Sequence, residues 1–298
     1  MAFHTATTVD EALSLVGDGS SAKVVAGGSD LIVQHRGGRA LPSTVVAIHR
    51  IDALRGIDAS GDLRIGALTT HAEIVEIEAI RSGWTALADA SAIVGSHATR
   101  NVGTIGGNIM NASPAMETGA PLIVLRASVT LRSAAGDRVV PIEEVWTGPG
   151  RTSTKPGELL VDVTVPARTA GSGSAYVRLE YRRAMEIAIV GAAACISLDG
   201  DTVTGARVAL TAVGPTLLRS GSAEEAIIGT TGDDAALAAV AAGASADASP
   251  ISDLRAAEDY RRAMIGVIAK RAVSVAMQRA RGVEFPIPAT PVFMEGSA

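Results

Sequence analysis

Two glycine-rich stretches have the residue types and the spacing that could bind an anion. Residues 24–31 read VVAGGSDL and residues 103–109 read GTIGGNI, so each places Gly-Gly directly before a short polar side chain. Glycine permits positive φ angles and close approach to the backbone, which lets successive N–H groups converge on an anion. Ser29, Thr104 and Asn108 add polar side chains. Two such loops brought together could hold a pyrophosphate from both sides, whereas the simpler alternative is a turn at the end of each strand.

Other familiar site motifs are absent from the sequence. Neither glycine stretch fits the dinucleotide pattern G-x-G-x-x-G, and neither the phosphate-binding pattern G-x-x-x-x-G-K-[ST] nor the hydrolase pattern G-x-S-x-G occurs. The five histidines show no H-x-x-x-H spacing, so we expect no metal site. His97, which precedes the second stretch, is expected to be a surface or capping residue.

The single cysteine, Cys195, lies in the apolar run IAIVGAAACISL and is expected to be a buried structural thiol. A chain with one cysteine cannot form an internal disulfide or supply a four-thiolate iron–sulfur cluster. Any such cluster that works with this protein must therefore be on another chain.

Short helices and strands alternate over the first hundred residues and would position both loops. Capping boxes are predicted at Thr8–Glu11 and Thr70–Glu73, at the starts of the helical stretches VDEALSLV and HAEIVEIEAI. AKVV, STVVAI and LRIGAL are typical of strands, and a short helix capped by Ser29 or Asp30 follows the first of them.

From residue 128 the pattern changes to antiparallel strands. SVTLRSAAGDRVVPI predicts a hairpin with its turn at Gly136-Asp137, and GELLVDVTVP predicts a further strand. Gly171–Ser174 is typical of a linker, and three more strands follow it. Helices are predicted near 222–229, 233–245 and 254–281, before a proline-rich tail, FPIPATPVF, that should lie extended along a surface.

Composition indicates a globular protein of two or three packed domains. The chain has 298 residues, of which 47% are hydrophobic and 19% are charged, with a net charge of −5. Its lysines and arginines are scattered and form no basic stripe, so nucleic acid is not expected as a partner. The first residues lack a signal-peptide pattern and no apolar run reaches the ~20 residues of a membrane helix, so we expect a cytoplasmic protein without a membrane span.

Four stretches together resemble one family. AGGSDLI, RNVGTIGGNIMNASPA, TSTKPGELL and YRRAMEIAIVGAA, in this order, are similar to sequences of the FAD-binding medium subunit of the molybdenum hydroxylases, which include carbon monoxide dehydrogenase and bacterial xanthine dehydrogenase. The resemblance implies an α+β fold: a two-lobed FAD-binding domain of the vanillyl-alcohol-oxidase (PCMH) type and a C-terminal domain of antiparallel sheet and helices. We place the FAD-binding domain at 1–172, with lobes of about 1–55 and 56–172, the C-terminal domain at 173–285 and the tail at 286–298.

The same resemblance implies which residues bind FAD, in two loops and at four further positions. The implied cofactor-binding residues are Lys23, Val24, Val25, Ala26, Gly27, Gly28, Ser29, Asp30, Leu31, Val94, Thr104, Ile105, Gly106, Gly107, Asn108, Glu117, Leu160 and Arg178. No residue is given a catalytic or metal-binding role, because the flavin supplies the chemistry. A valine at Gly27 or Gly106 is expected to abolish FAD retention in a folded chain, because its Cβ would fill the space of a phosphate oxygen.

Three positions depart from the family pattern. Glu117 and Glu186 stand where an aspartate is usual, and Arg178 stands where a lysine commonly approaches the flavin. Arginine replaces a compact ammonium group by a planar fork of donors, which is not a neutral change. The resemblance therefore implies a cation near the flavin, with an altered influence on the flavin's redox potential.

The resemblance also implies a role in electron transfer. A large subunit with a molybdenum cofactor would oxidise the substrate, a small subunit with two [2Fe–2S] clusters would relay electrons, and the FAD of this chain would pass them to an external acceptor such as NAD⁺, dioxygen or a quinone. The implied assembly is a dimer of heterotrimers. Two alternatives stay open: a self-contained flavin reductase or oxidase on the same fold, and a non-catalytic protein whose glycine turns are only structural.

Overall fold

The structure is a computed structural model that describes residues 1–17, 22–40, 42–182 and 184–295. Helices and strands both contribute to it throughout. The strands are β1 Ala2–Thr5, β2 Ala22–Val25, β3 Thr44–Ala47, β4 Ile57–Asp58, β5 Leu63–Gly66, β6 Ser128–Ser133, β7 Gly136–Pro141, β8 Trp146–Gly148, β9 Arg151–Thr152, β10 Leu159–Val165, β11 Ser172–Leu179, β12 Val190–Asp199, β13 Thr202–Thr211 and β14 Leu218–Arg219. The α-helices are α1 Val9–Val16, α2 Ser29–Arg36, α3 His71–Glu76, α4 Glu78–Gly83, α5 Thr85–Ile93, α6 His97–Arg100, α7 Ile105–Asn111, α8 Gly119–Val124, α9 Gly221–Ile227, α10 Asp234–Asp247, α11 Glu258–Ala280 and α12 Val292–Glu295.

The first sheet is parallel and ends at the first glycine stretch. Its strands lie in the order β1-β3-β2, with Val25 opposite Ala47. Parallel neighbours need crossover connections, and α1 and α2 provide them. The sheet buries Val46 and Ile48 against the apolar side of α1. The residues from Ala26 onward therefore leave the carboxyl end of β2 and lead directly into α2.

The second sheet is antiparallel and carries the helices of the second glycine stretch. Its strands lie in the order β4-β5-β10-β6-β7. Ile65, Val129 and Val163 form its core with the inner sides of α5, α7 and α8. Because α7 packs on the central strand β10, the second glycine stretch is held on a rigid base.

The third sheet lies between two hydrophobic cores. Its strands lie in the order β11-β12-β13-β14, and α11 packs across β11 and β12. Side chains alternate between the two faces of a strand. Ala175 and Val177 of β11 therefore pack toward α11, whereas Tyr176 packs toward the core of the second sheet. Arg178 is on the same face as Tyr176.

A buried carboxylate joins these units. Asp89 of α5 is fully buried and accepts hydrogen bonds from Nη1 and Nη2 of Arg279, at 2.6 and 3.0 Å. It also accepts the backbone N–H groups of Tyr176 and Ala289, each at 3.0 Å. A buried charge is tolerated only with such partners. Asp89 thereby connects α5 to β11, to α11 and to the tail.

The predicted helix starts are correct in part. The Thr70–Glu73 capping box is confirmed in both directions. At α1 only half of the box forms: Thr8 accepts the N–H of Glu11, but the Glu11 carboxylate accepts from Thr7 instead of Thr8. Helix α2 is capped by Gly28, not by a side chain of Ser29 or Asp30.

Three predictions about local structure are wrong. The hairpin turn lies at residues 134–135, because Gly136 already pairs with Ser133. Gly171–Ser174 is not a linker, since Ser172 begins β11 and a Cβ on Gly173 would overlap the backbone of α11. The tail is not wholly extended, because Val292–Glu295 is helical; its last residues, 296–298, lie outside the described residues.

Two further observations concern single features. Cys195 lies on β12 and is half-buried against the core of the second sheet, and burial raises the pKa of its thiol. Within the described ranges, no helix is both long enough and apolar enough to cross a bilayer.

Candidate functional site

The two glycine stretches lie directly against each other. A Cβ built on Gly27 would overlap the carbonyl oxygen of Val102, and one built on Gly103 would lie 3.9 Å from the Ser29 hydroxyl oxygen. Only glycine allows backbones to approach this closely. We call residues 26–31 the first loop and residues 102–108 the second loop.

Side chains of α2 and α7 hold the two loops together. The amide of Asn111 donates to Oδ1 of Asp30 at 3.0 Å, and its oxygen accepts Nε2 of Gln34, also at 3.0 Å. Asn111 thus uses both ends of its amide to fix one helix on the other. These direct contacts fix the spacing of the two loops.

The first loop has the geometry of an anion-binding nest. Gly28 has a left-handed conformation with φ of 73° and ψ of 0°. In the part of the chain that the structure describes, the backbone N–H groups of residues 27–31 have no hydrogen-bond partner. Successive free N–H groups around a left-handed residue at a helix start are the arrangement that binds phosphate groups. The residues present here therefore fit a pyrophosphate.

The second loop differs, because all but one of its N–H groups already donate to other atoms of the protein. Ile105 and Gly106 donate to the carbonyl oxygens of Thr69 and Ala67, each at 3.0 Å. Gly107 donates to the hydroxyl of Thr104 at 3.1 Å. The expected symmetric cradle is thus corrected: the first loop offers a row of free N–H groups, whereas among the described residues the second loop offers the N–H of Thr104 alone, besides side chains and close contact.

The reason expected for two glycines is also wrong. The space that a Cβ on Gly27 would fill is occupied by Val102, and a Cβ on Gly106 would lie 2.7 Å from the Ala67 carbonyl oxygen. Both glycines serve contacts between protein backbones. A valine at either position would disturb the fold itself and would not act on a phosphate alone.

A cavity of about 290 Å³ opens where the two loops meet. Ala26 and Gly27 line it from the first loop, and Val102 and Thr104 line it from the second. Arg55 also lines this cavity, with its guanidinium donating to the carbonyl oxygen of His49 at 2.8 Å. No sequence motif pointed to Arg55, which follows the first sheet by several residues.

A buried ionic cluster lies next to the second loop. We define it as Glu117, Arg178 and Glu180. Nη1 of Arg178 lies 2.6 Å from Oε1 of Glu117, while Nε and Nη2 each lie 2.6 Å from Oε2 of Glu180. Thr118, the neighbour of Glu117, donates to Oδ1 of Asn108 at 2.5 Å, which connects the cluster to the second loop.

The cluster changes the expectation for Arg178. Its guanidinium is only 1% exposed and has a carboxylate on each side. Burial alone would lower the pKa of Arg178, but the two carboxylates outweigh burial and raise it. Arg178 therefore stays charged yet does not act as an isolated cation. Sequence reasoning missed Glu180, although its i+2 spacing from Arg178 on a strand was visible.

Burial shifts the pKa of Glu117 in the opposite direction from that of Arg178. It raises the pKa of Glu117 from 4.5 to about 7, although the nearby Arg178 guanidinium lowers it. Burial also raises the pKa of Tyr176, whose ring lies on the same face of β11. Glu186 approaches the cluster with its carbonyl oxygen, 3.5 Å from Nη1 of Arg178.

A buried histidine lies against the second loop. The backbone N–H of His71 donates to the carbonyl oxygen of Gly103 at 3.1 Å, and its Nδ1 is buried without a hydrogen-bond partner among the described residues. Burial, with a smaller effect of Arg100, lowers the pKa of His71 to about 4. By contrast, His97 is exposed at the start of α6. In the sequence, the Thr70–Glu73 capping box, within which His71 lies, was the available indication of its position.

The remaining residues predicted to contact FAD lie at the end of α5, on β10 and on β2. Val94 ends α5, and its carbonyl oxygen accepts Nη1 of Arg100 at 3.1 Å. Leu160 is buried in the core of the second sheet. Lys23 to Val25 belong to β2, with Lys23 exposed. In the described part of the chain, no group of three or more His, Cys, Asp or Glu side chains is arranged to hold a metal ion.

Comparison with known families identifies the chain. Residues 1–168 match the family described as "FAD binding domain in molybdopterin dehydrogenase", and residues 175–276 match "CO dehydrogenase flavoprotein C-terminal domain". The chain belongs to this family of flavoprotein subunits. The predicted family, fold class and cofactor are therefore confirmed: it is an FAD-binding medium subunit of molybdenum hydroxylase complexes, and thus an oxidoreductase subunit.

Relatives of this flavoprotein subunit match it over nearly their whole length. The carbon monoxide dehydrogenase medium chain of Hydrogenophaga pseudoflava is 34% identical, over 93% of this chain and 97% of the relative. The putative xanthine dehydrogenase FAD-binding subunit XdhB of Escherichia coli K12 is 32% identical, over 94% and 97%.

Solved structures agree with these relatives. A carbon monoxide dehydrogenase of Hydrogenophaga pseudoflava that lacks the Mo-pyranopterin moiety superimposes with a TM-score of 0.90 at 35% identity, over 94% of this chain and 98% of the other. Quinoline 2-oxidoreductase from Pseudomonas putida 86 superimposes with a TM-score of 0.88 at 27% identity, over the same shares. The subunit thus shares its fold with members of different named activities.

Proposed function

We propose that this flavoprotein subunit takes electrons from [2Fe–2S] clusters on a partner subunit and passes them through FAD to an external acceptor. The observation that carries the proposal is the row of free N–H groups at residues 27–31, which fits the pyrophosphate of FAD. When bound, FAD accepts electrons singly and releases them in pairs, which suits a position between one-electron clusters and a two-electron acceptor.

We assign different parts of FAD to the two loops and to the ionic cluster. The N–H groups of the first loop would bind the pyrophosphate, while Thr104 and Asn108 of the second loop would limit its position from the other side. Glu117 and Arg178, near Asn108 through Thr118, would lie toward the flavin end. Val94 and Leu160 remain proposed apolar contacts, with Leu160 acting from within the core.

The proposed partners follow from the cysteine count and from the relatives. With Cys195 as the only cysteine, this chain cannot hold the clusters itself. We therefore assign them to a small subunit, and the molybdenum cofactor to a large subunit, in a cytoplasmic dimer of heterotrimers. NAD⁺ is one candidate acceptor. The names of the relatives support a complex of several subunits.

Two glycine variants test whether the first loop holds FAD. Gly28→Val would strain a left-handed residue in the first loop, although the nearest other atoms lie 3.6 Å or more from its Cβ. Gly38→Val carries the same kind of strain at φ of 95°, outside the site and with no atom within 4 Å. We expect flavin absorbance of the purified chain to be lost in Gly28→Val and kept in Gly38→Val. Equal flavin content in both variants would contradict the assignment.

Purification of the native assembly tests the electron route. We expect the chain to co-purify with two other polypeptides that contain iron and molybdenum. Rapid turnover of a substrate with NAD(P)H by this chain alone would instead favour a self-contained flavin enzyme.

A further inference from the structure

The ionic cluster of Glu117, Arg178 and Glu180 contains more acidic groups than basic groups. One guanidinium lies between two carboxylates, and all three residues are at most 7% exposed. With both carboxylates ionised, the cluster would carry a net charge of −1 away from water. Leaving a charge buried and uncompensated costs several kcal/mol. Binding one proton to a carboxylate removes this cost, so the cluster is a site with high proton affinity.

The contacts indicate which carboxylate takes the proton. Oε2 of Glu180 accepts a hydrogen bond from Nε of Arg178 and also lies 2.6 Å from Nη2, which makes an ion-pair contact only, whereas Glu117 is close to Nη1 alone. A carboxylate oxygen close to two cationic nitrogens, one of which donates a hydrogen bond, is the better stabilised anion. The proton therefore belongs on Glu117, on the oxygen that Arg178 does not contact.

Among the residues that the structure describes, no other charged group pairs with Glu117 or Glu180 in place of this proton. Tyr176, on β11, faces Glu117 with a hydroxyl that burial keeps protonated. Burial and, to a lesser extent, repulsion from Arg178 lower the pKa of Arg100, on α6; its guanidinium donates to the Val94 carbonyl oxygen, while Glu117 and Glu180 form their ion pairs with Arg178. From the segment after β11, Glu186 contributes its carbonyl oxygen to Arg178, while its carboxylate lies 3.5 Å from Arg182.

We propose that Glu117 is a proton-binding site that is coupled to the charge of the bound flavin. Near neutral pH, Glu117 binds the proton on the carboxylate oxygen that Arg178 does not contact. Negative charge added to FAD near the cluster increases the proton affinity of Glu117, so electrons arriving on the flavin bring a proton to the protein. This coupling rests on the proposed function, whereas the proton site itself depends only on the three residues of the cluster.

Infrared difference spectroscopy of the full chain tests the proton site, with and without FAD. We expect a protonated carboxylic acid band at mildly acidic pH that disappears as the pH rises through neutrality, and that is absent from Glu117→Gln. In Glu180→Gln one carboxylate is neutralised, so Arg178 is free to stabilise ionised Glu117. The midpoint of the band should then move down by about one pH unit or more.

The outcomes separate the proton site from the proposed function. A band that persists in Glu117→Gln, or a midpoint that does not move in Glu180→Gln, would overturn the assignment to Glu117. The wild-type titration and Glu180→Gln decide this even where Glu117→Gln fails to fold. Coupling predicts that the flavin midpoint potential of the wild type has a steeper pH dependence than that of Glu117→Gln. Identical slopes overturn the coupling, while a chain that binds no FAD overturns the proposed function and leaves the proton site standing.

Discussion

Gly27 lies so close to Val102 that a Cβ at position 27 would overlap the carbonyl oxygen of Val102 and approach the nitrogen of Gly103 to 3.3 Å. This contact joins the residues that follow β2 of the first sheet to the segment between α6 and α7. It explains why residue 27 is a glycine without reference to a ligand. It also makes the relative position of the two loops sensitive to a single methyl group added at residue 27.

We expect Gly27→Ala to lower the free energy of unfolding by about 1–3 kcal/mol, as overpacking does in a closely packed interior. FAD retention should fall with it, because the loops are forced apart. Gly61→Ala is the matched control, since Gly61 is exposed, lies outside both loops and has no atom within 4 Å of the position of its Cβ. Urea unfolding and flavin content measure both effects. Wild-type stability in Gly27→Ala would contradict the contact.

Asn111→Ala should weaken FAD binding by about tenfold, equivalent to about 1.4 kcal/mol. The substitution removes both hydrogen bonds that join α7 to Asp30 and Gln34, so the loops lose their fixed spacing. Since Asn111 is only partly buried, stability should change by no more than about 1 kcal/mol. Flavin fluorescence titration gives the dissociation constant. A loss of stability without a loss of affinity would mean that the amide serves the fold alone.

Asp89→Asn should lower the free energy of unfolding by about 3–5 kcal/mol, because it breaks a buried pair and leaves Arg279 without a counter-charge. Asp137→Asn, in the exposed pair with Arg132 on the β6-β7 hairpin, should cost no more than about 1 kcal/mol. Denaturant unfolding of both variants provides the comparison. Equal effects would show that burial does not strengthen the Asp89 pair.

The pH dependence of stability should contain two opposing slopes. The pKa of His71 falls from 6.5 to about 4 on folding, so the unfolded chain binds more protons in that range and stability decreases as the pH falls through it. The pKa of Glu117 rises from 4.5 to about 7, so the folded chain binds more protons and stability decreases as the pH rises toward 7.

Single variants should separate these slopes, each of which is limited to about 1.4 kcal/mol per pH unit. In His71→Gln the first slope is absent, and stability should fall with rising pH between about 4.5 and 7. In Glu117→Gln the second slope is absent, and stability should rise with pH between about 4 and 6.5. Unfolding free energies measured across this range decide the matter. Parallel profiles for the two variants would contradict both assignments.

Local patterns predicted local structure well. The Thr70–Glu73 box and the strands around Val25 and Ile65 depend on neighbours in sequence, so their chemistry was visible. The roles of Gly27 and Gly106 were predicted wrongly because their close neighbours, Val102 and Ala67, are distant in the chain. A sequence shows that a glycine is present but not which backbone approaches it.

The ionisable groups of the site show the same limit. Glu117 and Arg178 were identified through the family resemblance, yet nothing local indicated that they bind each other across 61 positions. Asp89 and Arg279 are separated by 190 positions and gave no signal at all. Burial of charge is decided by tertiary contacts, so the protonation of these groups could be inferred only from the folded chain.

The hydrogen bonds to Asp89 also limit when its carboxylate can gain its full set of partners during synthesis of the chain. Its partners at Tyr176, Arg279 and Ala289 are translated long after α5. The set of partners of this carboxylate is therefore incomplete until residue 289 has been synthesised. A fragment that stops at residue 168, where the first family match ends, would lack every one of these donors. The boundary between the two sequence families is thus a poor place to cut the gene.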